Sequence, residues 1–199
     1  MKTQTKYRRK ILEAILFFSS SNGVNNPSKM MMYKLLAEMD FRHFQETGLF
    51  VTDLKYKAYP FGPVPESLQN EITDGKNLVL PEDFKGALTV QDTEFEDEKG
   101  KKYSGFKYIS KRRPNLKIFS PREQRIMGQV AEIYKYSSAT EASIASHEPG
   151  KPWTKTVKLH GEGSPIQPFE VLDLTKPLTK EIAEERIRER EALIFNYGA

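Results

Sequence analysis

Residues 26–48 of this 199-residue chain read NPSKMMMYKLLAEMDFRHFQETG and carry a long helical pattern. Asn26-Pro27 begins the pattern, with proline expected early in the first helical turn, and Thr47-Gly48 ends it. Between these limits apolar residues recur at spacings of three and four, so they fall on one face of the helix. This face is the predicted buried stripe: Met32, Leu35, Leu36, Met39 and His43.

Further helices are predicted on both sides of this stretch. Residues 5–18 have a wide apolar face, and residues 179–194 form a last helix rich in Glu and Arg. Ser120-Pro121-Arg122-Glu123 combines an N-cap, a first-turn proline and a Glu at capping-box spacing, which predicts a helix to about residue 136. Ser138 and Glu141 repeat that spacing and predict a short helix that ends near His147. The predicted apolar face of the 120–136 helix is Ile126, Val130, Ile133 and Tyr134.

The remaining segments indicate β-structure, bends and a linker. Residues 52–59 are rich in β-formers, and the three prolines and one glycine of residues 60–65 predict a rigid bend without regular structure. Residues 78–117 predict a β-hairpin or small sheet, and residues 161–177 predict a linker. The predicted fold class is therefore mainly α (α+β): a compact helical domain with a small β insertion and a C-terminal helix.

Composition and charge narrow the class of protein. The chain has 31 Lys and Arg against 27 Asp and Glu, and its two tight cation clusters, residues 8–10 and 111–113, are interpreted as solvated patches, which makes nucleic acid an improbable partner. The absence of cysteine excludes disulfides, thiolate zinc sites and cysteine nucleophiles, and a cytoplasmic location is expected. No stretch approaches the roughly 20 apolar residues that span a bilayer, so membrane insertion is not expected.

The sequence lacks the motifs of the common enzyme and metal-binding classes. The best candidate metal ligands are Asp40, His43, His147 and Glu148, but they show no dense ligand spacing. Neither a Gly-x-Ser-x-Gly nucleophile elbow nor a phosphate-binding glycine loop occurs. We therefore predict a binding protein without a cofactor rather than an enzyme.

A series of short motifs resembles a known family. In chain order they are Lys34-Leu35-Leu36 with Asp40, Thr47-Gly48, Tyr56 with Ala58, Phe61-Gly62-Pro63-Val64, Phe119-Ser120-Pro121-Arg122-Glu123, Ser146-His147-Glu148 and Pro152-Trp153. In this order and spacing they resemble the Panacea domain, the SocA-like antitoxin family. The resemblance covers residues 27–157 within a predicted domain of residues 1–157. Residues 158–199, the predicted linker and charged helix, lie outside it.

The resemblance implies a function and a partner. Members of the family are understood to neutralise a protein toxin, in many cases by direct binding, and occur in toxin–antitoxin pairs, phages and prophages. Because SocA presents its toxin to the ClpXP protease, an adaptor for an AAA+ protease is the second hypothesis, and a DNA-binding regulator is the third. The matching residues are interpreted as structural: Leu36, Asp40, Gly62, Pro63, Val64, Ser120, Glu123, His147, Glu148, Pro152 and Trp153.

The sequence also predicts a surface for the toxin. Aromatic residues alternate with or adjoin lysines over residues 102–112, a composition favoured at protein interfaces. A half-buried strand with solvated lysines explains the same alternation equally well. The predicted contact residues are Tyr103, Phe106, Lys107, Tyr108, Lys111 and Arg112. Trp153 is expected to fill a gap in the core, with His147 hydrogen-bonded nearby.

Overall fold

The computed structural model describes residues 2–74, 77–96, 102–173 and 175–197. Its helices are α1 (Lys2–Phe18), α2 (Lys29–Thr47), α3 (Glu66–Ile72), α4 (Glu82–Lys85), α5 (Pro121–Tyr134), α6 (Ala139–Ser146), α7 (Pro152–His160) and α8 (Lys180–Tyr197). Its strands form antiparallel pairs: β1 (Tyr56–Tyr59) with β2 (Gly62–Pro65), β3 (Thr73–Asp74) with β4 (Asn77–Leu78), and β5 (Leu88–Glu96) with β6 (Lys102–Ser110). The predicted fold class, mainly α with small β elements, is confirmed.

Helix α2 lies at the centre of the fold and is buried on nearly every side. Ser28 caps its first turn, because the Ser28 hydroxyl accepts the Met31 N–H, and Gly48 ends it at φ 75° in the left-handed region. All five residues of the predicted stripe are buried. Pro27, which was predicted inside the first turn, precedes the capping residue instead.

Helix α5 packs along α2 and begins at the predicted capping box. The Ser120 hydroxyl accepts the Glu123 N–H at 3.3 Å, and the Glu123 carboxylate accepts the Ser120 N–H at 2.8 Å. Ile133 was predicted on the apolar face, but it is 52% exposed. The inward face consists of Ile126, Met127, Val130, Ala131 and Tyr134.

The two longer hairpins differ in how well the sequence predicted them. Residues 62–65 form strand β2, which pairs with β1 from Tyr59↔Gly62 to Tyr56↔Pro65, so the prediction of a bend without regular structure was wrong. A two-stranded hairpin tolerates proline because one edge of each strand needs no partner strand. The β5–β6 hairpin lies within the predicted insertion and pairs from Leu88↔Ser110 to Glu96↔Lys102.

Residues 161–173 of the predicted linker pack onto the helical body. The Ser164 carbonyl accepts the Ala58 N–H at 2.9 Å, which places this segment along the free edge of β1. Ile166, Val171 and Leu172 are buried. The linker prediction was therefore wrong, since proline and glycine here shape a packed loop.

Helices α7 and α8 complete the fold. Pro152 is the first residue of α7, and Trp153 follows it in the first helical turn. Helix α8 confirms the predicted C-terminal helix and crosses the end of α2, where Arg186 donates to the Thr47 carbonyl at 2.8 Å. Within the part of the chain that the structure describes, we find no helix that combines the length and apolarity needed to cross a bilayer.

Candidate functional site

The buried carboxylate of Asp40 fixes the chain that leaves α2. It accepts the N–H groups of Val51 and Thr52 at 2.8 and 2.9 Å, the Thr52 hydroxyl, and the Tyr56 hydroxyl at 2.7 Å. Burial raises the pKa of Asp40 to about 6, although these hydrogen bonds favour the charged form. Through Tyr56, the network sets the position of strand β1.

Helices α6 and α7 hold the turn of the β1–β2 hairpin. The Ser143 hydroxyl donates to the Phe61 carbonyl, and the Trp153 indole N–H donates to the Tyr59 carbonyl, both at 2.8 Å. Gly62 adopts φ 101°, and a Cβ atom on it would lie 2.5 Å from Ser146 Oγ. Glycine is required here for both reasons, which gives the Phe61-Gly62-Pro63-Val64 motif a structural explanation.

His147 stacks on Trp153. The two ring centroids lie 3.7 Å apart with 27° between the ring planes. Among the described residues, His147 Nε2 is buried without a hydrogen-bond partner, so the predicted side-chain hydrogen bond is not formed through this atom. Burial, and then the nearby Lys34, lower the pKa of His147, which favours the neutral ring.

The four candidate metal ligands are not brought together. The Asp40 carboxylate is surrounded by donors, and His43 Nδ1 lies 2.7 Å from the Leu49 carbonyl. The described ranges hold no group of three or more His, Asp or Glu side chains arranged to bind a metal ion. The geometry therefore gives the hypothetical metal site at Asp40, His43, His147 and Glu148 no support.

A positively charged groove lies at the base of the β5–β6 hairpin. Its volume is ≈ 780 Å³, and it is lined by residues 19–22, 109–114 and 116. We call it the basic groove, because its charged residues are Lys111, Arg112 and Arg113.

Glu13 holds Arg112 of the basic groove in position. Its carboxylate accepts two bonds from the Arg112 guanidinium, at 2.9 and 2.6 Å, and the Asn115 N–H at 2.6 Å. Burial opposes ionisation of Glu13, but these donors outweigh it and hold the pKa of Glu13 below its usual value. Arg112 is therefore fixed in place, with much of its charge compensated.

The predicted contact residues separate into surface and core positions. Lys111 and Arg112 line the basic groove, whereas Phe106 and Lys107 are half-buried on β6. Tyr108 is only 1% exposed and belongs to the core, so its predicted place on the surface was wrong. The side chain of Tyr103 lies outside the described residues.

Sequence reasoning missed Arg113 as a groove residue. Arg113 is exposed, and its guanidinium has no ion pair or hydrogen bond within the described part of the chain. The available signal was the cluster of residues 111–113, which was interpreted as a solvated patch.

Comparison with known families identifies the domain. The sequence model of the antitoxin SocA-like family, Panacea domain, matches residues 32–154, more than half of the chain. The chain belongs to this family. The match supports an antitoxin role in general and a toxin as the partner. Comparisons with curated proteins and with solved structures found no match.

The Panacea motif residues of this chain lie mostly in packed positions. Leu36 and Val64 are buried, and Glu123 is both buried and part of the capping box. Glu148 differs, because its side chain is exposed while its carbonyl accepts the Thr154 hydroxyl. Lys34, a motif residue without a predicted role, is buried, and burial lowers its pKa to about 7.

Trp153→Ala is expected to lower the free energy of unfolding by about 2–4 kcal/mol, somewhat less than a fully buried tryptophan because Trp153 is half-buried. The variant loses the stacking on His147 and leaves the Tyr59 carbonyl without its donor. Urea denaturation measures the loss of stability. Trp153→Phe keeps an aromatic ring but has no N–H, so its free energy of unfolding should fall by less. Unchanged stability together with lost neutralisation would place Trp153 in the toxin contact instead.

Proposed function

We propose that this Panacea-domain protein is a cytoplasmic antitoxin that neutralises a cognate protein toxin by direct binding, without catalysis or a cofactor. The observation that carries the proposal is the family match over residues 32–154. The basic groove supports it, because the groove offers an open, charged surface on a well-packed scaffold. Growth after co-expression with the product of the neighbouring open reading frame tests the proposal: a toxic product must become harmless beside this protein.

The basic groove is the proposed contact for an acidic segment of the toxin. Among the residues that the structure describes, three cations and no acidic residue line it, and Arg112 alone of the three cations has a carboxylate partner. Lys111 is held by a 2.9 Å hydrogen bond to the Lys85 carbonyl, which leaves its charge uncompensated. Complementary charge accelerates encounter and selects the partner.

Lys111→Glu combined with Arg113→Glu is expected to weaken toxin binding at least about tenfold, mainly through slower association. Both side chains are exposed, so stability should change by no more than about 0.5 kcal/mol per substitution. Arg112 is left unchanged, because its removal would leave the buried Glu13 carboxylate without its cationic partner. Surface plasmon resonance with the purified toxin measures the effect.

Lys158→Glu combined with Arg188→Glu is the matched control. It makes the same change in net charge at two exposed residues away from the basic groove, and it should bind the toxin like the parent. A Lys111 and Arg113 variant that is folded and neutralises as well as the parent would remove the groove from the proposal. Loss of promoter-DNA binding with toxin binding intact would instead favour the DNA-binding regulator.

A proteolytic adaptor is the second candidate function, and helix α8 favours it. This helix lies outside the family match and exposes Leu193 and Phe195, the latter by 89%. The exposed apolar end of the helix is the contact for an AAA+ protease under this alternative. Under this alternative, the toxin half-life shortens only when both this protein and the protease are present.

A further inference from the structure

Lys34 is a buried cation without a counterion. Its side chain belongs to the interior face of α2, and the residue is 3% exposed. Nζ makes one long contact, 3.4 Å to the Pro63 carbonyl, and no described carboxylate lies within ion-pair distance. Because an isolated buried ammonium is strongly unfavourable, such a group either loses its proton or binds an anion.

A small cavity adjoins Lys34. Its volume of ≈ 20 Å³ exceeds the roughly 10–15 Å³ that one water-sized particle needs. The same volume is too small for a polyatomic ligand. The cavity lies between α2, β2, α5, α6 and α7. Its polar or aromatic lining residues are Lys34, Glu38, Phe41, Tyr134, Ser146, Lys151 and Trp153.

Gly62 packs directly against the end of the Lys34 side chain. A Cβ atom on Gly62 would lie 2.9 Å from Lys34 Nζ and 2.5 Å from Ser146 Oγ. A side chain at this position would therefore press against the amine. The glycine of the family motif thus allows the amine of the motif lysine to reach its position at the edge of the cavity.

The charges around the cavity favour an anion. Lys34 and Lys151 both line it, and among the described residues the only lining carboxylate is that of Glu38. Glu38 is already engaged by Arg42 at 2.7 Å and by Lys151 at 3.7 Å. Nothing in the described residues neutralises Lys34 itself.

We propose that Lys34 Nζ, beside Gly62 and Ser146, binds a single monatomic anion of the size of chloride in this cavity. The bound anion supplies the missing counterion and allows the amine to remain charged inside the domain. The site is independent of toxin binding, so a test of anion binding neither depends on the proposed function nor tests it.

Thermal unfolding of the full chain at pH 6 tests the site. Sodium chloride replaces sodium gluconate at constant ionic strength, so that only the anion small enough for the cavity changes. The melting temperature of the parent should rise and then level off as [Cl⁻] increases. At ten times the Kd, the folding constant should be about elevenfold higher than without chloride.

Lys34→Met separates this site from general salt effects. The variant should show no chloride-specific rise, and crystals of the parent grown in bromide should give an anomalous peak beside Lys34 Nζ. An equal response to chloride in the parent and the variant would overturn the proposal. Bromide crystals of the parent without a peak in the cavity would overturn it too, whatever the behaviour of the variant.

Discussion

Lys10→Met is expected to lower the free energy of unfolding by about 3–5 kcal/mol. Lys10 Nζ lies 2.6 Å from Glu123 Oε1, and the two side chains are only 9% and 8% exposed. The variant would leave the Glu123 carboxylate buried without its cation. The pair also ties α1 to the capping box of α5, so the loss should appear in one cooperative urea transition.

Two further variants show whether the ion pair causes this loss. Lys6→Met removes an exposed cation from the same helix and should change stability by no more than about 0.5 kcal/mol. Lys10→Met combined with Glu123→Met removes both charges and should be more stable than Lys10→Met alone, since only the cap, worth about 1 kcal/mol, remains lost. A double variant less stable than Lys10→Met would contradict the explanation.

Lys34→Met is expected to stabilise the protein in chloride-free buffer, most strongly below pH 7. Burial lowers the pKa of Lys34 to about 7, so between pH 7 and pH 10 the unfolded chain binds more protons than the folded chain. The stability of the parent therefore rises with pH, by up to about 1.4 kcal/mol per pH unit. The difference in free energy of unfolding between Lys34→Met and the parent should decrease by the same amount per pH unit.

The difference in stability between the two proteins isolates Lys34. The groups that face it are Glu38, Tyr134, His147 and Lys151, and they are present in both proteins. Because burial and then Lys34 itself lower the pKa of His147, the variant also changes the protonation of His147, and this contribution is confined to the acid end of the pH range, near pH 6. Burial raises the pKa of Asp40 to about 6, so ionisation of Asp40 destabilises the fold as pH rises to that value. This effect is complete below the range from pH 7 to pH 10 in which Lys34 changes the stability. Urea denaturation at intervals from pH 6 to pH 10 measures the difference, and a difference that stays constant with pH would contradict the account.

Local sequence signals predicted much of the helical framework. The capping boxes at Ser120 and Ser138 and the glycine at position 48 mark helix ends through contacts between residues only a few positions apart. The β5–β6 hairpin is equally local, because its strands are adjacent in the chain. Such features depend on neighbouring residues, which a single sequence displays directly.

Contacts between distant residues were beyond the sequence patterns. The Lys10–Glu123 pair joins residues 113 positions apart, and the burial of Tyr108 depends on packing of the hairpin base against the helices. Residues 161–177 have the composition of a linker, yet residues 163–166 bind the free edge of β1 through backbone hydrogen bonds. The basic groove likewise exists only because the 19–22 turn meets the chain after β6.

Titration of the purified toxin with this protein, without protease or ATP, tests direct neutralisation most directly. The toxin is the product of the neighbouring open reading frame, and its activity is followed as increasing amounts of this protein are added. The account predicts that activity falls in proportion to the added protein and vanishes at a fixed molar ratio, with both proteins in one size-exclusion peak. Toxin activity that stays constant until an AAA+ protease and ATP are added would contradict direct neutralisation.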